Sequence, residues 1–180
     1  MNRRTFLALG AKIAAGLVVA QANPAWARTP SRLTERRNLA FYHTHTRECL
    51  DITYARDGIY DLKALGQINQ YLRDFRTNEV HPIDPAVLDI LWEVQRELGN
   101  STYEVISGYR SPKTNRALRN RSRGVAKRSL HMRGKAVDIR LTGKRTRTVR
   151  DCAASLRCGG VGYYAKSDFV HIDTGRVRTW

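Results

Sequence analysis

The chain has 180 residues, of which 32 are Lys or Arg and 16 are Asp or Glu, so its formal charge is +16. Hydrophobic residues make up 42% of it and the mean hydropathy is −0.50, which is enough apolar material for one core of ordinary size and excludes disorder throughout. The first apolar run is interrupted by Lys12, and no stretch reaches the roughly 18 consecutive apolar residues that a bilayer span needs. A multi-span membrane protein is therefore excluded.

The first residues of the chain are typical of an export signal. Arg3 and Arg4 precede the apolar run, and residues 25–27 read Ala-Trp-Ala, which is a small-x-small cleavage site. The adjacent arginines predict a twin-arginine signal over residues 1–27, and a general secretory signal is the alternative. We therefore expect a periplasmic or otherwise exported protein that is not an integral membrane protein once the signal is removed.

The positive charge lies mostly outside the predicted signal, because residues 1–27 hold only three basic side chains. Such a domain is expected to be attracted to an anionic polymer. An exported protein does not meet nucleic acid, so we expect no nucleic-acid partner, and a cell wall with free carboxylates fits better. The alternative is a charged surface without a dedicated partner. We expect a monomer.

Three cysteines, Cys49, Cys152 and Cys158, leave at least one without an intramolecular partner. Cys152 and Cys158 can form a disulfide only if the helix predicted around them ends between them, because six residues along a helix separate two side chains too far. The Cys-x-x-Cys spacing of structural zinc sites is absent from the sequence.

The domain itself is predicted to begin near residue 38. Residues 28–37 are polar and basic and predict a flexible lead-in to a domain over residues 38–180. Residues 39–60 predict short strands in a hairpin arrangement, with a turn at Asp57 and Gly58.

Two helices follow, each with a recognisable start. Asp61 is a candidate cap for the first, in which apolar residues recur at helical spacing, namely Leu65, Ile68, Leu72 and Phe75. Asp84 and Pro85 predict the start of the second, and Gly99 predicts its end.

The second half of the chain alternates between strands and helices. Strands are predicted over residues 103–107, 135–141, 161–164 and 169–173, and helices from residue 112 to about 120 and over residues 148–156. A basic run over residues 119–128 predicts a solvated loop, with a rim for an anionic substrate as the alternative. The order predicts an α+β domain with a small antiparallel sheet and flanking helices.

Two of the five histidines lie in a pattern that suits a metal. His131 precedes Asp138 of a predicted strand by seven residues, and His171 lies inside another predicted strand. If that strand lies beside the first, two nitrogens and one oxygen surround a point, as in a catalytic zinc site with an open fourth position. A hydrogen-bonded core histidine is the alternative. His43 and His45 share a strand face, but the spacing implies no third ligand.

Several segments together resemble the zinc-dependent D-alanyl-D-alanine carboxypeptidase and murein endopeptidase family, which has a Hedgehog-type zinc peptidase fold. The segments are SGYRSP with a later Asn at residues 107–115, SLH with a later Asp at 129–138, GGVGYY at 159–164 and FVHIDTG at 169–175. They follow one another in the family's order and most resemble its periplasmic murein endopeptidase K branch, whose members cut peptide cross-links of peptidoglycan.

The resemblance implies an exported zinc metallopeptidase that hydrolyses amide bonds in peptidoglycan stem peptides. The resemblance favours an endopeptidase that cuts cross-links, including those between two diaminopimelate residues. Two alternatives remain: a D,D- or L,D-carboxypeptidase of stem peptides, and a non-catalytic zinc-containing module that binds the cell wall.

The resemblance also assigns residues. It makes His131, Asp138 and His171 the zinc ligands and Asp168, three residues before His171, the general base. Arg110 matches the arginine that contacts the substrate carbonyl, where a fixed guanidinium stabilises a developing oxyanion. The alternative for Arg110 is a salt bridge that holds its turn.

Three further residues are candidates with weaker support. Asp173 is the rival for the general base, because it shares a strand face with His171, and otherwise it would accept a hydrogen bond from an imidazole. Ser129 would orient His131 or touch the substrate, or else only bond within its loop. Tyr163 would support a stem peptide or lie at the edge of the core, as would its neighbour Tyr164 and Trp180.

Overall fold

The structure is a computed structural model, and it describes residues 36–122 and 124–180. The predicted signal over residues 1–27 lies outside the described residues, as does nearly all of the predicted lead-in. The described part contains four α-helices and eight strands, which confirms the α+β class. None of its helices combines the length and the apolar character that crossing a membrane requires.

The strands are β1 Arg37–His43, β2 Cys49–Arg56, β3 Ile59–Tyr60, β4 Tyr103–Ser107, β5 Ala136–Leu141, β6 Gly160–Tyr164, β7 Phe169–Asp173 and β8 Arg178–Thr179. The helices are α1 Leu62–Tyr71, α2 Pro85–Leu98, α3 Pro112–Arg121 and α4 Thr146–Ser155, and Leu130–Arg133 forms a short 3-10 helix. All strands belong to one sheet in the order β3-β2-β1-β4-β5-β7-β6-β8. Two pairs, β1 with β4 and β6 with β8, are parallel, so the sheet is larger and more mixed than expected.

Local chemistry explains the boundaries that the sequence predicted. Asp57 and Gly58 both have positive φ, 51° and 76°, as a two-residue hairpin turn between β2 and β3 requires. The Asp61 carboxylate accepts hydrogen bonds from two free amides at the start of α1. Asp84 caps α2 in the same way, and Gly99, with φ 90°, follows its last residue.

The helices α1, α2 and α4 pack on strands of the sheet, and α2 also packs on α4. On β5 the apolar residues Val137, Ile139 and Leu141 belong to the buried core. Because side chains alternate along a strand, Asp138 and Arg140 point to the other face. That other face of β5 carries the polar groups of the candidate site.

Strand register brings the candidate ligands together. Val105 of β4 pairs with Ile139, but Ser107 pairs with Asp138, so β4 carries one extra residue at a bulge. On its other side Asp138 pairs with His171 of β7. The arrangement that the sequence required, with His171 beside Asp138, is confirmed.

The cysteines form no disulfide in the described part of the chain. Cys152 lies in α4, and Cys158 follows the end of that helix. The Cys158 sulfur lies 3.2 Å from the backbone oxygen of Leu156. The bridge left open by the sequence is therefore not present.

Candidate metal centre

Three ligand atoms meet at one point on the polar face of the sheet. His131 Nε2 lies 3.2 Å from Asp138 Oδ1 and 3.2 Å from His171 Nδ1, and His171 Nδ1 lies 2.8 Å from Asp138 Oδ1. Donor atoms about 2.0–2.1 Å from a tetrahedral ion are separated from one another by roughly 3.3 Å. The three side chains therefore already have nearly the spacing that a zinc-sized ion demands.

The third ligand depends on a sharp turn. Asp138 and His171 are placed by strand register, whereas His131 lies on the short 3-10 helix that ends at Gly134. Gly134 has φ 63°, and a Cβ there would lie 2.0 Å from the carbonyl oxygen of Pro82. Only glycine fits this turn. The turn connects the 3-10 helix to β5 and so places His131 next to the polar face of the sheet.

Each imidazole is fixed through the nitrogen that faces away from the cluster. His131 Nδ1 lies 2.7 Å from the carbonyl oxygen of Gly108, which can only accept, so this nitrogen carries the proton. His171 Nε2 lies 3.0 Å from a carboxylate oxygen of Asp173. Such outer hydrogen bonds select the tautomer and aim the other nitrogen of each ring at the metal position.

Asp173 is itself held on every side. Its oxygens accept hydrogen bonds from Arg178, at 2.6 and 3.1 Å, and from the backbone amides of Gly160 and Gly175. Burial would raise the pKa of Asp173, but the bonds from His171 and Arg178 hold that pKa well below its usual range. Asp173 is thus the ionised acceptor for an imidazole N–H, as one of the two interpretations of the sequence expected.

Protonation in the cluster is unequal. Burial lowers the pKa of His131, whereas for His171 the carboxylates of Asp138 and Asp173 outweigh burial and raise the pKa to about 9. Burial would raise the pKa of Asp138, but the two imidazoles hold it far below its usual range. At neutral pH His171 therefore carries a proton on both ring nitrogens, and the proton on Nδ1 lies at the position of the ion.

We expect metal binding to displace this proton. Coordination requires a free lone pair on His171 Nδ1, so at about pH 6 each metal bound should release about one proton, and apparent affinity should rise about tenfold per pH unit. This gain should fade as the pH passes the pKa of His171, about 9. Calorimetric titration with zinc in buffers of different ionisation enthalpy measures the release directly. Zinc binding without proton release at this pH would contradict the assigned protonation.

Arg110 lies beside the cluster, and its guanidinium still has N–H donors without a hydrogen-bond partner among the described residues. Its Nη2 is 3.4 Å from Asp138 Oδ2 and 3.5 Å from Ser107 Oγ, and its backbone N–H donates to the carbonyl of His131. The buried Nε atom has no hydrogen-bond partner among the described residues. The salt bridge expected as an alternative thus exists, but it is long and leaves donors for another acceptor.

Asp168 is not brought to the cluster. Its Oδ1 accepts a hydrogen bond of 2.7 Å from Thr146 at the start of α4, its Oδ2 lies 3.5 Å from Arg140, and its side chain is 65% exposed. It precedes His171 by three residues, about 10 Å along a strand. The left-handed turn at Asp168, with φ 50°, does break strand parity, but it directs the carboxylate to α4. In the structure its carboxylate is thus bonded outside the cluster, and the general-base role of Asp168 stays a prediction.

The structure also places the two weaker candidates, Tyr163 and Ser129. The ring of Tyr163 lies 5.0 Å from the guanidinium of Arg150 on α4, so it faces the helical side of the sheet and does not face the ligands. Its neighbour Gly162 pairs with His171, so Tyr163, one residue on, points to the opposite face of the sheet from His171. Ser129 is buried directly before the 3-10 helix, but its side chain does not cap that helix.

The C-terminal residues supply a further part of the site, in which Trp180 was a candidate from the sequence but the short strand β8 and the role of Arg178 were not predicted. The indole of Trp180 lies 5.4 Å from the ring of His171, donates to the hydroxyl of Tyr164 at 3.1 Å, and is 49% exposed. A Cβ on Gly162 would lie 2.6 Å from this indole. Trp180 therefore forms an aromatic wall beside the ligands, while Arg178 of the strand β8, which directly precedes it, holds Asp173. A strand of two residues leaves no periodicity to detect.

Comparison with known proteins places this geometry in a family. Residues 31–180 match the family model described as Peptidoglycan L,D-endopeptidase MepK. The chain belongs to this family. It is 42% identical over 180 residues to Peptidoglycan L,D-endopeptidase MepK of Escherichia coli strain K12, with 99% of this chain and 97% of that protein covered. A protein of Haemophilus influenzae named Probable peptidoglycan L,D-endopeptidase MepK is 42% identical over 182 residues, with 99% and 95% covered.

Membership of the MepK family confirms the resemblance seen in the sequence motifs. The M15 peptidases to which the family model belongs are metal-dependent hydrolases, so this chain is an enzyme. His131, Asp138 and His171 are the one group of three in the described part whose ligand atoms converge closely enough to hold an ion. This cluster is therefore the candidate metal site of the described chain.

Proposed function

We propose that this protein is an exported zinc-dependent L,D-endopeptidase that hydrolyses cross-links between peptidoglycan stem peptides. The observation that carries the proposal is the set of three ligand atoms 2.8 to 3.2 Å apart, in a chain 42% identical to a MepK protein. Two nitrogens and one carboxylate oxygen are the donor set of a catalytic zinc site with an open position. The proposed ligands are His131, Asp138 and His171.

The protein's own groups prepare the site before substrate arrives. When bound, zinc would polarise the scissile carbonyl and bring the pKa of a water down to about 7. Asp173 and the carbonyl of Gly108 keep the two imidazoles in their coordinating tautomers. Arg110 directs its free N–H groups to the oxygen on which negative charge develops, and the half-exposed Trp180 provides a wall against which a stem peptide can pack.

Export and charge agree with this substrate. A protein that acts on peptidoglycan must leave the cytoplasm, and Arg3 and Arg4 before an apolar run support a twin-arginine route as part of the proposal. The formal charge of +16 favours encounter with a polymer that carries free carboxylates. We expect this attraction to weaken with added salt.

The proposal is tested by mass spectrometry of muropeptides after incubation with purified protein, zinc-loaded or chelated. Cross-linked dimers joined through two diaminopimelate residues and linear stem peptides are supplied separately. We expect the zinc-loaded protein to convert dimers to monomers and to leave linear peptides intact. Loss of a terminal residue from linear peptides alone would indicate a carboxypeptidase, and binding to sacculi without released fragments would indicate a non-catalytic module.

Asp168→Ala tests the role that the resemblance implies for that residue. A positioned general base contributes about 10²- to 10⁴-fold to the rate. Because the Asp168 carboxylate is already bonded to Thr146, we expect turnover to fall less than about tenfold, with full metal content. A larger fall with the metal retained, together with a lost acidic limb in the pH profile, would return the role of base to Asp168.

A further inference from the structure

A second arginine lies close to Arg110 and has no part in the mechanism above. Arg76 follows α1 in the loop that leads to α2. Asp74, which is 1% exposed, accepts one hydrogen bond from the backbone N–H of Arg76, at 3.0 Å, and another from that of Ser111, at 2.8 Å. The amide of Tyr109 also donates to the carbonyl of Leu72. The loop that carries Arg76 is thus fastened to the segment that carries Arg110.

The side chain of Arg76 is oriented by aromatic rings. Its guanidinium carbon lies 4.1 Å from the centre of the Phe75 ring, and His45 stacks on that ring at 4.3 Å with an interplanar angle of 16°. The guanidinium and the imidazole both lie too close to the ring of Phe75 to share one of its faces, so Phe75 lies between Arg76 and His45. The fully buried His43 meets the edge of Phe75 at 5.5 Å. Stacking fixes a guanidinium while leaving its N–H donors free in the plane.

The charge around Arg76 is unbalanced. Within the described residues its guanidinium takes part in no ion pair, because the carboxylate of Asp74 is bonded to backbone amides. Burial lowers the pKa of Arg76, Asp74 opposes this, and the positive charges of Arg110 and Arg121 lower it further. The charges of Arg110 and Arg121 therefore both act on the guanidinium of Arg76. Arg76 is exposed to solvent, and a stacked guanidinium with like charges beside it is stabilised by a bound anion.

The substrate proposed above offers such an anion beside the bond to be cut. When diaminopimelate is linked through one of its amino groups, the carboxylate on the same carbon stays free. That carboxylate lies two bonds from the amide nitrogen, and the carbonyl that Arg110 would contact lies on the other side of the same amide. Two neighbouring guanidinium groups can thus bind the carbonyl oxygen and the carboxylate separately.

We propose that Arg76 binds the free carboxylate next to the scissile amide, while Arg110 contacts the carbonyl, so that the pair selects cross-links with an unmodified diaminopimelate acceptor. This inference rests on the proposed function. A planar fork stacked on Phe75 suits bidentate contact with a carboxylate, whereas a lysine at this position would act only as a point charge.

The test compares two cross-linked dimers, one with that carboxylate free and one with it amidated. Dissociation constants are measured by calorimetry with the chelated protein, and kcat/KM is measured with the zinc-loaded protein. For the unaltered protein we expect the free dimer to be preferred about 10- to 100-fold, the size of a charge-assisted hydrogen bond. Arg76→Gln should abolish this preference by weakening only the free dimer, and Arg76→Lys should restore part of it.

The matched control is Arg56→Gln, which removes the same charge from an exposed position at the end of β2, far from β5 and β7 in the sheet. It should keep the full preference. The inference is overturned if Arg76→Gln weakens both dimers equally or keeps the preference, or if Arg56→Gln loses as much of it. Binding with the expected preference but without hydrolysis by the zinc-loaded protein would contradict the proposed function and leave the carboxylate site intact.

Discussion

Replacing His131 by alanine is expected to remove the metal from the protein and to abolish hydrolysis. His131 is 2% exposed, and its Nε2 is one of three converging ligand atoms in residues 36–122 and 124–180, which offer no fourth group to take its place. Loss of an outer hydrogen-bond partner alone typically costs about 10- to 100-fold in metal affinity or activity, and loss of a ligand should cost more. Elemental analysis and a muropeptide assay measure the two effects.

The control for this variant is His81→Ala. His81 stacks on Tyr109 at 4.8 Å and supplies no ligand atom, so this variant should keep the metal. Because an alanine at a buried position can unfold the chain, Asp138→Asn provides a second variant of nearly the same shape, and circular dichroism confirms the fold of both. One zinc per chain in a folded His131→Ala protein would show that the ligands are wrongly assigned.

Asp173→Asn should give a graded effect, which separates a supporting residue from a ligand. The asparagine amide has no negative charge with which to pair Arg178 and His171. Its oxygen can still accept one hydrogen bond. We therefore expect the metal to bind about 10- to 100-fold more weakly, with activity restored by excess zinc. A variant that binds zinc as tightly as the unaltered protein would mean that Asp173 does not support His171.

The convergence of the three proposed ligands could be predicted from the sequence because their positions follow from short-range patterns. Strand alternation places Asp138 on the polar face of β5, and the FVHIDT run predicts β7 with its bounds correct. Only the pairing of Asp138 with His171 needed long-range information, and the family resemblance supplied it. Caps and turns such as Asp84 with Pro85 are equally local, so they too were predicted.

What failed depended on contacts between distant segments. The helical spacing predicted that α1 extends to Phe75, and this prediction is wrong. The chain leaves the helix at Leu72, and Asp74 then accepts a hydrogen bond from the amide of Ser111. The bond from Thr146 to Asp168 was missed for the same kind of reason, since Thr146 comes from the start of α4. Neither partner can be recognised from the residues around the position itself.

The second large effect is expected for Arg110→Gln. Removing one fixed donor to a developing oxyanion typically lowers kcat about 10²- to 10³-fold. Arg110 is not a ligand, so the metal content should stay at that of the unaltered protein. Its side chain is 12% exposed and makes only long contacts with Asp138 and Ser107, which means that little structure depends on it. Steady-state hydrolysis of a cross-linked dimer measures the loss.

Arg140→Gln is the matched control for Arg110→Gln, because Arg140 lies on the same face of β5 as Asp138 but pairs with Glu104 and Asp168. Its removal should leave kcat within about threefold, as expected for an exposed ion pair. If Arg110 only held its turn through a salt bridge, Arg110→Gln would lower the melting temperature and leave kcat nearly unchanged. If it stabilises the oxyanion, kcat should fall at constant stability, and Arg110→Lys should recover only part of the rate, since an ammonium cannot reproduce the planar fork.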